Sequence, residues 1–208
     1  MMSTRRLQAA AAAGGAALVL LLTGCTDSTS STEDAGVSAT NDHGSMSHNA
    51  DPAAAHNDAD VSFADGMVPH HQQAIVMSDI ILAKQGIDAR VVELANQIKA
   101  AQGPEIATMQ KWLTAWGAPS MNHEGHDMSD MGMGMMSDQQ LEQLRQAQGV
   151  DAAKQFLTGM IAHHEGAVRM AQTELDTGKA EDAKKLARDI IDAQQREIAT
   201  MKQILGSL

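Results

Sequence analysis

The sequence contains the same motif twice, and this repeat limits what the chain can fold into. Residues 63–77 return as residues 156–170, with Phe, Gly, Met, His, His, Ala and Met in the same register. The shorter motif Glu-Ile-Ala-Thr-Met follows each copy, at residues 105–109 and 197–201. Because one helical hairpin cannot bury its apolar face alone, the two copies are expected to pack on each other. The repeat therefore predicts two similar units that share one core.

The hydrophobic pattern predicts helices throughout the repeat. Apolar residues recur at three- and four-residue spacing, and no stretch shows the alternation of a β-strand. We predict an all-α fold: a four-helix bundle built from two tandem helical hairpins, with a short extra helix before helix three. The predicted helices cover residues 62–85, 88–116, 137–149, 151–178 and 180–205.

Individual residues predict where these helices begin and where they are disturbed. Gly86 is the predicted stop of the first helix. Pro69 predicts a kink beside the first His-His pair, and Gly103-Pro104 predicts a bend or a brief break in the second helix. The predicted N-caps are Ser62, Asp88, Ser137 and Asp151.

The N-terminal residues 1–24 predict a lipoprotein signal peptide. Arg5 and Arg6 precede an apolar run that is too short for a membrane span. The run ends in Leu-Thr-Gly-Cys, which resembles a bacterial lipobox and predicts lipidation of Cys25. We therefore expect an exported protein anchored to the outer face of the cell membrane through this lipid. A cleaved secretory signal followed by an incidental cysteine is the alternative.

Composition divides the remaining chain into a tether and a bundle. Residues 25–60 have few large apolar side chains and cannot bury enough surface to fold, so they predict a disordered tether. Residues 61–208 form the predicted bundle. Within the bundle, repeat one is 61–117, a Met/His-rich loop is 118–136, and repeat two is 137–208.

Charge and cysteine content exclude several classes of function. The formal net charge of −11 argues against a nucleic-acid partner. Cys25 is the only cysteine, so a lipidated protein has neither a disulfide nor a thiolate metal ligand. The fold must be held by packing alone.

The repeated motifs place imidazole, thioether and carboxylate groups on the inner faces of the helices. Burying so many polar groups is costly unless they are partnered, so they form either a metal centre or a hydrogen-bonded network. A catalytic site without metal is a third reading, and no catalytic residue is assigned. The candidate ligands in the bundle are His70, His71, His163, His164, Met67, Met77, Met160, Met170, Met109, Met201, Glu105 and Glu197. For Met109 and Met201, core packing and ligation explain the sequence equally well. Glu105 and Glu197 are candidates either as ligands or as hydrogen-bond partners that orient the imidazoles.

The ligand types favour copper. Thioether and imidazole without thiolate suit Cu(I), and by the same softness Ag(I), better than zinc. A di-iron carboxylate site needs Glu-x-x-His motifs, and the sequence has none. The Met-rich loop, predicted to be exposed and without a packing role, adds accessory ligands. These are Met121, His123, His126, Met128, Met131, Met133, Met135 and Met136.

The paired motifs resemble the "domain of unknown function 305" family over about residues 61–206. The resemblance rests on Met-x-x-His-His with Glu-Ile-Ala-Thr-Met, present in both copies. It implies a ferritin-like four-helix bundle, often exported, and a family in which some members bind copper and support copper tolerance. Together with the ligand types, it leads us to expect a lipoprotein that buffers or transfers Cu(I), with a copper-handling protein as a candidate partner. A metal-dependent oxidoreductase and a structural or partner-binding bundle with a polar core are the alternatives.

Overall fold

A computed structural model describes residues 55–118 and 133–208, and within these two ranges the regular structure is entirely helical. The all-α prediction is confirmed. The elements are α1 (Asp58–Leu82), α2 (Ala89–Ala115), α3 (Asp138–Gln146), α4 (Gly149–Thr177) and α5 (Glu181–Leu205).

The four long helices pair as the repeat predicts. α1 packs along α2, α4 packs along α5, and α1 packs against α4, whereas α2 and α5 barely touch. The bundle is therefore two helical hairpins joined mainly through their first helices. The short α3 lies against α1 and α4.

The first helix begins earlier than the sequence predicts. Asn57, not Ser62, is its N-cap: the Asn57 side chain accepts from the amides of Ala59 and Asp60, and Asp60 accepts from the Asn57 amide. This reciprocal capping box satisfies free amides one turn before Ser62. The Ser62 hydroxyl instead donates to the Asp58 carbonyl inside the helix. The last residues assigned to the tether are thus the cap and first turn of α1.

Other helix ends agree in part. Asp88 caps α2, and Ser137 forms a capping box with Gln140 at the start of α3, both as predicted. Asp151 is not a cap, because α4 begins at Gly149 and places Asp151 in its first turn. α1 ends at Leu82, which leaves Gly86, with φ of 70°, in the connection to α2.

Neither proline interrupts its helix. Pro69 lies inside α1 and Pro104 inside α2, and both helices continue on either side. The predicted break at Pro104 is wrong: a proline removes one amide donor, and packing of the surrounding apolar stripe holds the remaining turns.

Two hydrophobic clusters form the core, and each contains residues of both repeats. One includes Met77 and Ile81 of α1 with Phe156 and Met160 of α4. The other includes Phe63 and Met67 of α1 with the buried alanines of α4 that follow its His-His pair. The His-His pairs lie between the two clusters along both helices. An approximate two-fold axis at the α1–α4 crossing exchanges the clusters.

The predictions for the N-terminal segment lie outside the described residues. They concern the signal peptide 1–24, the lipidated Cys25 and most of the tether. Among the helices that the structure describes, none combines the length and the apolar character of a membrane span.

Candidate metal centre

The four histidines of the repeat meet where α1 crosses α4, and all four are fully buried. The ring centroids of His70 and His163 are 3.7 Å apart. Each ring lies 6.2 to 6.4 Å from its sequence neighbour, His71 or His164. Adjacent residues of a helix point about 100° apart, so one histidine of each pair faces the opposite repeat and the other faces its own hairpin partner.

The outer histidine of each pair bonds to a glutamate of the same hairpin. His71 Nε2 lies 2.8 Å from Glu105 Oε2, and His164 Nε2 lies 2.6 Å from Glu197 Oε2. Both glutamate side chains are 20% exposed and both histidines are 0% exposed, so the carboxylates extend from the surface towards the buried rings. Because a carboxylate accepts, the imidazole N–H of each pair is on Nε2.

The inner histidines bond to main-chain carbonyls instead. His163 Nε2 donates to the His70 oxygen at 2.9 Å, and His70 Nε2 donates to the Met133 oxygen at 2.9 Å. A carbonyl only accepts, so the proton of each ring is again on Nε2. The Nδ1 atoms of all four histidines are buried and have no hydrogen-bond partner.

Burial keeps the inner rings uncharged. It lowers the pKa of His70 to about 3, with smaller opposing and reinforcing effects from the Met133 carbonyl and the neighbouring His71. Burial, followed by the charges of the other three histidines, holds the pKa of His163 well below its ordinary value. A neutral imidazole with its proton on Nε2 has a lone pair on Nδ1, which is the form that binds metal.

The candidate methionines are buried in the two clusters on either side of the histidines. The side chains of Met67, Met77, Met109, Met160 and Met201 are 0% exposed. Met170 is partly buried against the same core. All of them contribute to packing, and they are the thioether groups of the core next to the histidines.

The methionines at the ends of the two motifs pack reciprocally across the α1–α4 crossing. A Cβ on Gly66 would lie 3.1 Å from Met170 Cε, and a Cβ on the equivalent Gly159 would lie 3.3 Å from Met77 Cε. Each terminal methionine thus rests on the glycine that precedes the first methionine of the other copy. The two copies of the repeat therefore make equivalent side-chain contacts with each other.

Part of the predicted loop set is packed rather than exposed. Met136 is 9% exposed and belongs to the hydrophobic core, so the prediction of a loop without a packing role is wrong for this residue. Its sulfur fills the space over Gly159. Met133 and Met135 are partly buried. The other accessory candidates lie outside the described residues: Met121, His123, His126, Met128 and Met131.

The predicted set of ligands leaves out some polar groups that the structure places near the centre. Gln102 and Gln194 are buried one turn before the paired glutamates, and amide atoms of both have no hydrogen-bond partner. Their place in the apolar stripes already marks them as unusual. The Met133 carbonyl has no such signal, because a main-chain atom leaves no trace in residue type.

No three His, Cys, Asp or Glu side chains within residues 55–118 and 133–208 are grouped so that they could hold a metal ion. The structure nevertheless brings the four histidines and the two glutamates of the predicted site together, while the methionines lie in the two flanking clusters. They offer imidazole Nδ1 and thioether sulfur as donors, with the glutamates behind two of the rings.

The model of the family described as a domain of unknown function, DUF305, matches residues 60–205. The chain belongs to the DUF305 family. The fold agrees with a DUF305 fragment from Deinococcus radiodurans at 32% identity and a TM-score of 0.67, over 73% of this chain and 98% of that one. It also agrees with a DUF305 protein of Streptomyces coelicolor, regarded as secreted, at 34% identity and a TM-score of 0.64, over 72% and 91% of the two chains.

A further DUF305-like structure carries metal. CopM in its Cu(I)-bound form is 32% identical, with a TM-score of 0.61 over 71% of this chain and 96% of CopM. CopM has also been solved with Cu(II), with silver and without metal. A curated relative, uncharacterized protein L153 of Acanthamoeba polyphaga mimivirus, is 46% identical over 52 residues. That match covers 25% of this chain and about a third of the length of the viral protein.

Proposed function

We propose that this DUF305 protein binds Cu(I), and Ag(I) by the same chemistry, outside the cytoplasm, and that it serves copper buffering, transfer or tolerance. The observation that carries the proposal is the set of four buried Nδ1 atoms without hydrogen-bond partners. Leaving a polar atom buried and unpaired costs about 1–3 kcal/mol. Metal binding would turn these atoms into ligands and remove that cost.

The donor set fits copper better than other common metals. Neutral imidazole and thioether, without thiolate, are the ligands that Cu(I) and Ag(I) prefer. The proposed ligands are the Nδ1 atoms of the four histidines with the sulfurs of Met67, Met77, Met160 and Met170. Met109 and Met201 are secondary candidates within the same core clusters. The structures of CopM with copper bound and with silver bound support this choice of metals.

The paired glutamates have a different proposed role. Glu105 and Glu197 accept from Nε2 of His71 and His164. A carboxylate in this position orients the ring and makes its other nitrogen a better donor to a metal. We therefore assign the two glutamates to the orientation of the ligands rather than to direct ligation.

The N-terminal sequence supports an extracytoplasmic, lipid-anchored location. The lipobox-like residues before Cys25 are the basis of this part of the proposal. Expression of the full chain in a bacterium with lipoprotein processing should give a protein that begins at a lipidated Cys25. Mass spectrometry of the N-terminal peptide measures this, and an unmodified Cys25 in the exported protein would contradict the anchor.

Competition between the protein and a Cu(I) chelator under anaerobic conditions tests the copper proposal. The protein from residue 26 onward is compared with a version that lacks residues 26–54 and has a Gly-Ser linker of equal length in place of residues 119–132, which retains every described helix. Both versions are expected to bind Cu(I) tightly. Replacement of His70, His71, His163 and His164 together by Ala should abolish tight binding, whereas His56→Ala, outside the centre, should retain it.

Two results would contradict this assignment. Loss of tight binding in the shortened version would place copper on the tether and loop, and would leave the histidines as a polar network. Retention of stoichiometric tight binding by the quadruple variant would exclude the histidines as the ligands. Circular dichroism of that variant checks that the helices are still formed.

A further inference from the structure

The two halves of the centre are not equivalent, and they differ at one hydrogen bond. His163 is fixed by the main-chain oxygen of His70, which is part of α1. His70 is fixed by the main-chain oxygen of Met133, which precedes α3 and lies outside any helix. The internal repeat supplies no second copy of this segment. We call residues 133–136 the strap.

Gln73 holds the strap by both ends of its amide. Its Nε2 donates to the Met136 oxygen at 2.8 Å, and its Oε1 accepts from the Met136 amide at 2.7 Å. Two hydrogen bonds to one residue fix the direction of the strap as well as its position. We call Gln73 the latch. It is one turn from His70 on α1, so the latch and the histidine ring that it positions lie on the same helix.

Two glycines allow the strap to lie directly on α4. Gly134 has φ of 75°, and a Cβ on it would lie 1.9 Å from the Ala162 oxygen. A Cβ on Gly166 would lie 1.6 Å from the Met133 oxygen. A side chain at either glycine would therefore displace the strap. Gly166 is the equivalent of Gln73 in the second copy of the repeat. The first copy therefore supplies the latch, and the second copy supplies the space in which the strap lies.

We propose that Gln73 is a positioning residue of the metal centre. By holding the strap, it keeps the Met133 carbonyl on His70 Nε2 and so keeps Nδ1 of His70 directed as a ligand. The hydrogen bond of His70 therefore depends on the strap, whereas that of His163 depends on the main chain of α1. This inference rests on the proposed copper function, and it predicts that metal leaves the His70 half faster once the latch is removed.

The first experiment needs no copper. In the metal-free protein from residue 26 onward, labelled with ¹⁵N at histidine, the exchange of each Nε2 proton with solvent is measured by NMR. Gln73→Ala is expected to accelerate exchange at His70 by about tenfold, the effect of losing roughly 1.4 kcal/mol of hydrogen bonding, and to leave His163 unchanged. Gln72→Ala, an exposed neighbour, is the matched control and should change neither. Gln73→Glu retains the acceptor for the Met136 amide and should partly restore protection.

A second variant removes the strap without touching α1. Gly134→Ala should accelerate exchange at His70 as Gln73→Ala does. Its control is Gly86→Ala, where φ is 70° but nothing lies within 4 Å of the added Cβ, so that backbone strain is matched and displacement is not. His70 exchange that stays at the wild-type rate in both strap variants would overturn the proposal. Equal acceleration at His70 and His163 would also overturn it, because that is general loosening of the bundle.

The copper arm follows on the same variants. Cu(I) transfer from the loaded protein to a chelator should gain a phase about tenfold faster in Gln73→Ala than in Gln72→Ala. A protein that fails to bind Cu(I) contradicts the proposed function, while the metal-free measurement still decides the role of Gln73. Unchanged transfer in a Gln73→Ala protein that does load copper would contradict the positioning role.

Discussion

At the scale of single residues, the centre depends on which nitrogen of each ring carries the proton. The four histidines of the centre donate from Nε2, two of them to glutamates and two to main-chain carbonyls. The remaining nitrogen is buried and unpaired in each case. A hydrogen-bond acceptor on Nε2 fixes the orientation of a ring whose Nδ1 binds metal, which lowers the free-energy cost of assembling the site.

Removing the glutamates is expected to weaken copper binding without removing a ligand. Glu105→Ala and Glu197→Ala should each lower Cu(I) affinity by about 10- to 100-fold, the usual loss when such a partner is deleted. Glu105→Gln, which can still accept a hydrogen bond, should lose less. Chelator competition measures these affinities, with the exposed Glu165→Gln as control. Wild-type affinity in both Ala variants would exclude the orienting role.

At the scale of helices, two buried carboxyl groups join the ends of α1, α4 and α5. Asp60 of α1 accepts from the amides of Lys179 and Ala180 at the start of α5. Glu174 of α4 lies beside it and is 1% exposed. Burial, then the neighbouring Asp60 carboxylate, raise the pKa of Glu174 to about 8. Burial opposes ionisation of Asp60, but the neighbouring Glu174 and the hydrogen bonds from backbone amides lower its pKa overall.

This joint predicts a loss of stability as pH rises. Because the pKa of Glu174 is 4.5 unfolded and about 8 folded, its contribution is complete below pH 4.5 and is lost as pH rises through 8. The lowered pKa of Asp60 stabilises the fold fully above its ordinary value of 3.8, and this contribution is lost only in acid below that value. Because the lowered pKa values of His70 and His163 make stability rise with pH up to about 6.5, the urea midpoint of the metal-free protein should fall only between about pH 7 and pH 9.

Glu174→Gln isolates the responsible group, since the amide cannot ionise. The urea midpoint of this variant should fall less over the same pH range than that of the wild type. Glu181→Gln, at an exposed position of α5, should keep the wild-type dependence. An unchanged pH dependence in Glu174→Gln would show that another group is responsible.

At the scale of the whole molecule, the two copies of the repeat share their core. Each hydrophobic cluster takes residues from both hairpins, so neither hairpin contains a complete core. The four histidines come from both copies as well, and the inner two are in direct ring contact. We therefore expect the bundle to unfold as one unit rather than as two separate domains.

An isolated hairpin is consequently not expected to fold as a monomer. Residues 55–118 alone should lack a cooperative unfolding transition at low concentration, because half of each cluster is missing. Any helical form should be a dimer that reproduces the α1–α4 contact. Circular dichroism with sedimentation measures both properties. A folded monomer of residues 55–118 would contradict the shared core.

The sequence predicts the features of this structure that both copies of the repeat share. The helices, the inward His-His pairs and the facing Glu105 and Glu197 all follow from residue type and spacing. The cap at Asn57 was missed because Ser62 offered an equally good local signal one turn later. The burial of Met136 and the bond from the Met133 carbonyl to His70 were missed because they depend on how a loop returns to the bundle. Long-range main-chain contacts of this kind produce no periodic pattern in the sequence.

The central claim is that the four histidines bind metal through Nδ1, and ¹⁵N-histidine NMR tests it most directly. Ag(I), or Cu(I) without oxygen, is added to the protein that lacks residues 26–54 and has the Gly-Ser linker in place of residues 119–132. We expect the Nδ1 resonances of His70, His71, His163 and His164 to shift on binding while their Nε2 atoms remain protonated. Shifts at Nε2, or unchanged histidine resonances when metal is bound, would contradict it.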